Sequence, residues 1–400
     1  MSETLYSSAT FVAAGLNTGN VSLQTDLLKQ WPYLVPSTSN AATIQAGLTR
    51  LANTYLNTQG GPFWTNMITF NTISGPAGTS AYCGGVLIPD GRVIFPPFNA
   101  TNVGSFTPST NTFATLASGG PAARSNKYWP GVLIPDGRVV FCPRGEANVG
   151  LFNPVTNSFT TTVGTGTLGV TIPAGSDAYI GGALAPDGRV IFAPFNATHV
   201  GTYNPTTDSF VTYAFSGSTP PGAAAYVGAV PILNGNVIFV PYAAASVGIF
   251  NTVTNTFSTV AASTGGSGSA YEGGVVVPDG RVVFSPTSAT NVGTFNPATS
   301  SFTSYTGPAG AGAYNGAVLL PDGRVLCVSS AATNIGIFNP VTNVFSTIAS
   351  GGPSTSYWGG NLLPDGRVIF APNNATTVGV VSGGPPVPLE ICLHPFFNKF

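Results

Sequence analysis

Charge is what this chain has least of. Lys, Arg, Asp and Glu together make up 6% of its 400 residues, and the formal net charge is -1. Nucleic-acid binding needs clustered cations that displace counterions, so that class of partner is excluded. Six of the twelve basic residues belong to a repeated Asp-Gly-Arg turn, each beside its own Asp, and no basic stripe is left over. The four cysteines, Cys83, Cys142, Cys327 and Cys392, have no metal-ligand spacing, which argues against a zinc site or a disulfide framework and marks them as buried thiols. No run of eighteen apolar residues occurs, so no membrane span is expected. The start, Met1-Ser2-Glu3-Thr4, has no basic segment leading into an apolar stretch, so no export signal is expected either.

What the chain does have is Gly, Thr, Ser, Asn and Pro around a 43% apolar fraction rich in Val, Ile and Phe, a composition that permits a large β core. It also has one cassette seven times over. Counted from the turn residue (Asp90, Asp136, Asp187, Asn234, Asp279, Asp322 and Asp365), a Tyr stands eight positions before and a Gly fourteen after in every copy. A Phe stands twenty-three after in the first six copies, and length varies only in the link from that Phe to the next Tyr. Such a repeat signals an array of small sheets, because one unit cannot bury its apolar face alone.

Within a cassette, Val275 to Val277 and Val282 to Phe284 flank Pro278-Asp279-Gly280, a tight hairpin in which Pro presets one turn angle and Gly takes the left-handed one. Val292 to Phe295 and Ser301 to Ser304 flank a second turn, so each cassette reads as a four-stranded antiparallel meander. The seventh copy lacks its fourth strand. Met67 to Ile73 resembles a lone fourth strand, and Phe70 precedes Tyr82 by twelve residues, the interval from Phe302 to Tyr314 and from Phe345 to Tyr357. The N-terminal strand is therefore expected to complete the last blade, closing a seven-bladed all-β propeller without exposed edges.

The motif Leu-Pro-Asp-Gly-Arg-Val at Leu320 to Val325, followed by the segment Ile335 to Phe345, resembles kelch-type propellers and the propeller of galactose oxidase. The likeness covers residues 66–381, and it implies a first strand nearest the axis, with Tyr near one mouth of the channel. It also implies a copper site of axial histidines and tyrosines. Here only His199 and His394 occur, His394 beyond the propeller and His199 at a loop position that is Asn in four other blades, so neither metal nor other cofactor is expected. Outside the turns the propeller has only Asp177, Asp208, Glu146 and Glu272 as acids, with no pair set by spacing, and no catalytic residues are assigned.

A Tyr in every blade reads as packing, whereas the residue after it varies: Cys83, Trp129, Ile180, Val227, Glu272, Asn315 and Trp358. A specific ligand is expected to meet those variable positions, chiefly Trp129, Glu272, Asn315 and Trp358, with Tyr128 and Tyr357 beside them. Aromatic rings beside Asn and Thr suit sugars.

The ends are expected to dock on partners, on other structural proteins or on copies of the chain itself. Residues 1–65 form an N-terminal extension in which Ile44, Leu48, Leu51 and Tyr55 make one face of a helix at about 40–56. In the tail 382–400, Leu389, Ile391 and Leu393 alternate as in a strand before Phe396 and Phe397. Together these features read as a non-enzymatic structural or attachment protein of a virion, assembled in the host cytoplasm. The alternative is a soluble, lectin-like propeller that binds surface glycans, cytoplasmic or exported non-classically; the second alternative is a galactose-oxidase-like or lyase-type enzyme.

Overall fold

The computed structural model describes residues 69–393, apart from the links 119–124, 164–171, 173–176, 216–221, 265–267, 309–313 and 349–356 and single positions at 77, 79, 233, 385 and 388. The extension 1–65, with Ile44, Leu48, Leu51 and Tyr55, lies outside the described residues, as do Phe396 and Phe397.

Seven four-stranded antiparallel sheets make up the ring. Blade five is representative, with strands Tyr271–Val276, Val282–Pro286, Asn291–Asn296 and Ser301–Thr306. Its first hairpin closes through Gly280 N donating to Val277 O at 2.8 Å, and Gly280 holds φ at 87°, a value that favours glycine. The closing strand forms as the repeat count requires: Thr69–Ser74 pairs antiparallel with Thr377–Ser382, with Phe70 opposite Val381. The Phe70 ring then lies 5.9 Å from that of Tyr357, taking the place of the missing blade phenylalanine.

The fixed offsets of the cassette are a packing arrangement inside each blade. In blade five the Tyr271 ring lies 6.2 Å from that of Phe302, and both crowd Gly293, where an added Cβ would stand 2.8 Å from Tyr271 Cζ and 2.9 Å from Phe302 Cε2. Tyr, Gly and Phe are therefore one three-part contact, and a larger residue in the middle has no room. The tyrosine hydroxyls end at the strand edge, as where Tyr314 donates to Asn334 Oδ1 at 2.5 Å.

The turn Asp and Arg residues form a belt between blades. Arg281 pairs with Asp279 at 2.7 Å and donates across the seam to the Pro340 carbonyl at 2.5 Å and to Asn343 Oδ1 at 2.9 Å. Arg92, Arg189 and Arg367 reach the carbonyls of Pro154, Thr252 and Pro108 in the same way.

The tail departs from its expected form. Leu389–Leu393 is a short helix, not a strand offered to a neighbour. Leu389, Cys392 and Leu393 stand at i, i+3 and i+4, a helical face as well as part of an alternating one, and that face covers the chain's own core. Among the described residues, no helix is long and apolar enough to cross a membrane.

Candidate functional site

The variable residue after each tyrosine reaches the axis because the first strand carries a bulge there. In blade five the pairing runs from Tyr271 opposite Pro286 to Gly274 opposite Phe284, so the first strand holds one residue more than its partner. Gly273 takes the left-handed conformation that the bulge needs, with φ of 75°. Bulges re-aim side chains, and this one sends Glu272 inward. Residues from separated blades consequently meet: Cys83, Trp129, Ile180 and Val227 form one apolar cluster with Trp358 packed on it.

A second ring of positions, eight residues after each turn, completes the mouth. It comprises Phe98, Arg144, Phe195, Tyr242, Thr287, Ser330 and Asn373. Phe98, Phe195 and Tyr242 join the apolar cluster, while Thr287, Ser330 and Asn373 are buried and polar. The mouth is thus divided. Blades one to four supply mostly rings and aliphatic chains; blades five to seven supply Glu272, Thr287, Asn315, Ser330 and Asn373.

Most polar groups of the divided mouth are tied to one another. Trp358 Nε1 donates to Ser330 Oγ at 3.1 Å, and to the Asn315 oxygen when that amide is turned so that its nitrogen donates to the Tyr314 carbonyl at 2.9 Å. Asn373 Nδ2 donates to the Tyr82 carbonyl at 3.2 Å and to Cys83 Sγ at 3.1 Å. Arg144 holds Asp177 through Nε and Nη2, both at 3.0 Å, and lies over the rings of Trp129 (4.9 Å) and Phe98 (5.0 Å).

Arg144 Nη1 and Glu272 Oε1 are buried without a hydrogen-bond partner among the described residues. Burial pushes the Glu272 carboxyl from 4.5 up to about 8, with the Arg144 guanidinium opposing the rise. The Cys83 thiol is pushed well up by burial, while Arg144 and the Asn373 hydrogen bond draw it down and Glu272 adds to the rise. Charge is concentrated on blade two. Lys127 and Glu146 occupy positions that are Ala in five and six of the other blades, and both are buried. Burial lowers the Lys127 ammonium, which donates to the Ala100 carbonyl at 2.9 Å, and Glu146 opposes that fall.

The structure brings Trp129 and Trp358 into a stacked pair and places Asn315 and Glu272 in the same mouth. Tyr128 and Tyr357 are elsewhere: each is buried within its blade, Tyr128 on Phe141 and Phe159, Tyr357 on Phe370. Arg144 was missed, although the signal was available, since its position varies between blades as the one after tyrosine does. The loop asparagines have structural work. Asn99, Asn196 and Asn374 accept from Asn126 N, Ala224 N and Ser80 N across the seams, so their amides are occupied by neighbouring blades. A separate cleft of about 360 Å³ beside the closure is lined by Pro76, Tyr82, Asn99, Thr101 and Thr115. Its one titratable group is Tyr82, which burial pushes up to about 12, so it offers no proton-transfer group near neutral pH.

His199 begins the third strand of its blade and shares a hydrogen bond with Thr198 at 2.9 Å. Among the described residues, no three His, Cys, Asp or Glu side chains are grouped to hold one metal ion.

No protein-family model and no curated protein sequence matches the chain. Solved structures do. A streptogramin B lyase is similar with a TM-score of 0.67 and 16% identity, covering 80% of this chain and 99% of that one. A catalytically inactive histidine-to-alanine variant of virginiamycin B lyase from Staphylococcus aureus, with quinupristin, gives 0.66 and 12%, covering 79% and 99%. Hydrazine synthase of Kuenenia stuttgartiensis gives 0.58 and 13%, covering 76% and 96%. At these identities the likeness is one of fold. It nevertheless corrects the reading of a non-enzymatic virion component, since these propellers belong to enzymes and none is a virion protein.

Proposed function

We propose that this propeller is a lyase-type enzyme whose active site is the divided axial mouth, with Glu272 as the proton-transferring group. One observation carries the reading: a buried carboxyl, raised to about 8 against the opposing pull of a guanidinium, stands where six blades have Cys, Trp, Ile, Val, Asn and Trp. Perturbed carboxyls in water-poor surroundings are what acid–base catalysis near neutral pH requires. Elimination uses neither water nor a redox partner. It needs a group that takes a proton and gives it back, which Glu272 supplies.

The similar lyase structures support the reaction class, and the quinupristin in one of them supplies a probe. The residues differ, however. That variant is inactive through loss of a histidine, whereas here His199 lies on a third strand and His394 is outside the described residues. The finer likeness to kelch and galactose-oxidase propellers enters this proposal only as a blade-building motif.

The test is to incubate the protein with quinupristin and a panel of lactones and esters carrying a β-oxygen leaving group, and to follow unsaturated products by mass spectrometry and ultraviolet absorbance. Turnover that falls about 100- to 10,000-fold in Glu272→Gln is the expected result. No turnover across the panel, or equal turnover in the variant, contradicts the proposal.

A further inference from the structure

Arg144 Nη1 and Glu272 Oε1, a donor and a carboxyl oxygen, are both buried in the mouth without a hydrogen-bond partner among the described residues, and the Arg144 guanidinium opposes the rise of the Glu272 carboxyl. Arg144 is held for a purpose its own pairing does not exhaust. Asp177 fixes Nε and Nη2, and the faces of Phe98 and Trp129 fix the plane, so Nη1 is the edge left over. The chemistry of that edge is narrow. It donates only, in surroundings too dry to satisfy it cheaply, and an oxygen acceptor between it and Glu272 would relieve it, and would accept from Glu272 as well while that carboxyl is protonated.

Charge decides which oxygen. The guanidinium is already neutralised by Asp177, and Lys127 stands beside the buried carboxyl of Glu146, so the mouth has no net positive charge to match a free carboxylate. A neutral carbonyl fits better. The apolar half of the mouth then implies that the carbonyl is carried by a planar or aromatic group that slides in beside the partly buried Phe195, Tyr242 and Trp358.

We infer that Arg144 is a catalytic residue, its Nη1 donating to the carbonyl oxygen of a planar, apolar substrate and holding the negative charge that forms there. The inference rests on the lyase reading and specifies its substrate. Ionised Glu272 takes the proton α to the carbonyl, and the C–H electron pair shifts the carbonyl π pair onto oxygen, opposite Arg144 Nη1. The oxygen pair then returns to re-form the carbonyl, and the pair from the C–H bond forms the α,β double bond as the β C–O bond breaks. The departing oxygen takes the proton back from Glu272, so no co-reactant is consumed.

The inference has a test that needs no turnover. 4-Nitrophenol is a planar aromatic whose oxyanion imitates the charged oxygen, and 4-nitroanisole is the same molecule with that oxygen capped. Calorimetric titration of the wild-type protein should show the phenol binding at least tenfold more tightly. The absorbance of the bound phenol should shift toward phenolate at a pH where the free phenol is mostly neutral. Arg144→Gln should abolish both effects and Arg144→Lys should retain part of each, in variants whose circular dichroism matches wild type. Equal binding of the two probes, or binding of neither, overturns the role of Arg144 and leaves the lyase reading standing. The selective phenol signal without turnover of any substrate in the panel would retain the oxyanion site and remove the lyase reading.

Discussion

Trp129 and Trp358 stack face to face across the mouth of the ring, their centroids 4.5 Å apart and their planes within 10°. They belong to the second and seventh blades, so the pair spans the first blade, whose Phe98 meets both rings edge-on at 5.9 Å. Three aromatic rings thereby lock the two sides of the closure together on the axial face.

Removing the buried member of that pair should be felt by the whole ring. Trp129→Ala is expected to lower stability by about 3–5 kcal/mol, as for large aromatic side chains in cores, measured by urea denaturation. It should also release Arg144, which loses one of its two ring faces.

The Glu272 carboxyl makes stability depend on pH in a definite direction. Its folded value of about 8 lies above the ordinary 4.5, so the folded state holds the proton more tightly than the unfolded one. The contribution is fully present below about 4.5 and is lost as pH rises to about 8, at roughly 1.4 kcal/mol per pH unit. Glu272→Gln removes that slope. The variant is expected to match or trail wild type at pH 5 and to exceed it at pH 9, in melting temperatures taken across the range.

The crowding of the blade glycine gives a steric prediction. In Gly293→Ala the new methyl carbon would meet Tyr271 Cζ at 2.8 Å, inside van der Waals contact. The expected loss is about 1–3 kcal/mol, the usual effect of overpacking. The loss should shrink when Phe302→Leu is added, because Phe302 is the other wall of that space.

One blade lacks the turn arginine that the belt is built from. Blade four carries Asn234 and Asn236 in place of the turn Asp and Arg, and on blade five Ser300 stands where Asn343 accepts from Arg281 at the next seam. Arg281→Ala is expected to cost about 1–2 kcal/mol, tempered by the partial exposure of its Asp279 partner. The triple change Asn234→Asp, Asn236→Arg and Ser300→Asn should add a bridge between blades four and five and raise the melting temperature.

The legible and illegible parts of this protein separate cleanly by distance along the chain. Tyr271, Gly293 and Phe302 touch inside one cassette, so a fixed spacing recorded their contact, and repetition located the closing strand at Phe70. Glu272 and Arg144 lie on different blades, and only the closed ring brings them to one mouth; no local pattern links them. Glu272 stood out in the sequence because its position varies. Arg144 could have stood out by the same comparison made eight residues after each turn. The tail was ambiguous for another reason: Leu389, Ile391 and Leu393 alternate, while Leu389, Cys392 and Leu393 mark a helical face, and five residues are too few for period alone to decide.

The most direct test of a proton-transferring carboxyl in the mouth is to titrate it. The chain has four glutamates, so carbon-13 labelling at the glutamate carboxyl gives a spectrum simple enough to assign by the one signal missing in Glu272→Gln. The account predicts that this signal titrates near pH 8, well above an ordinary glutamate. Titration near 4.5 would mean that Glu272 is ionised and solvated throughout the neutral range, and would contradict the site.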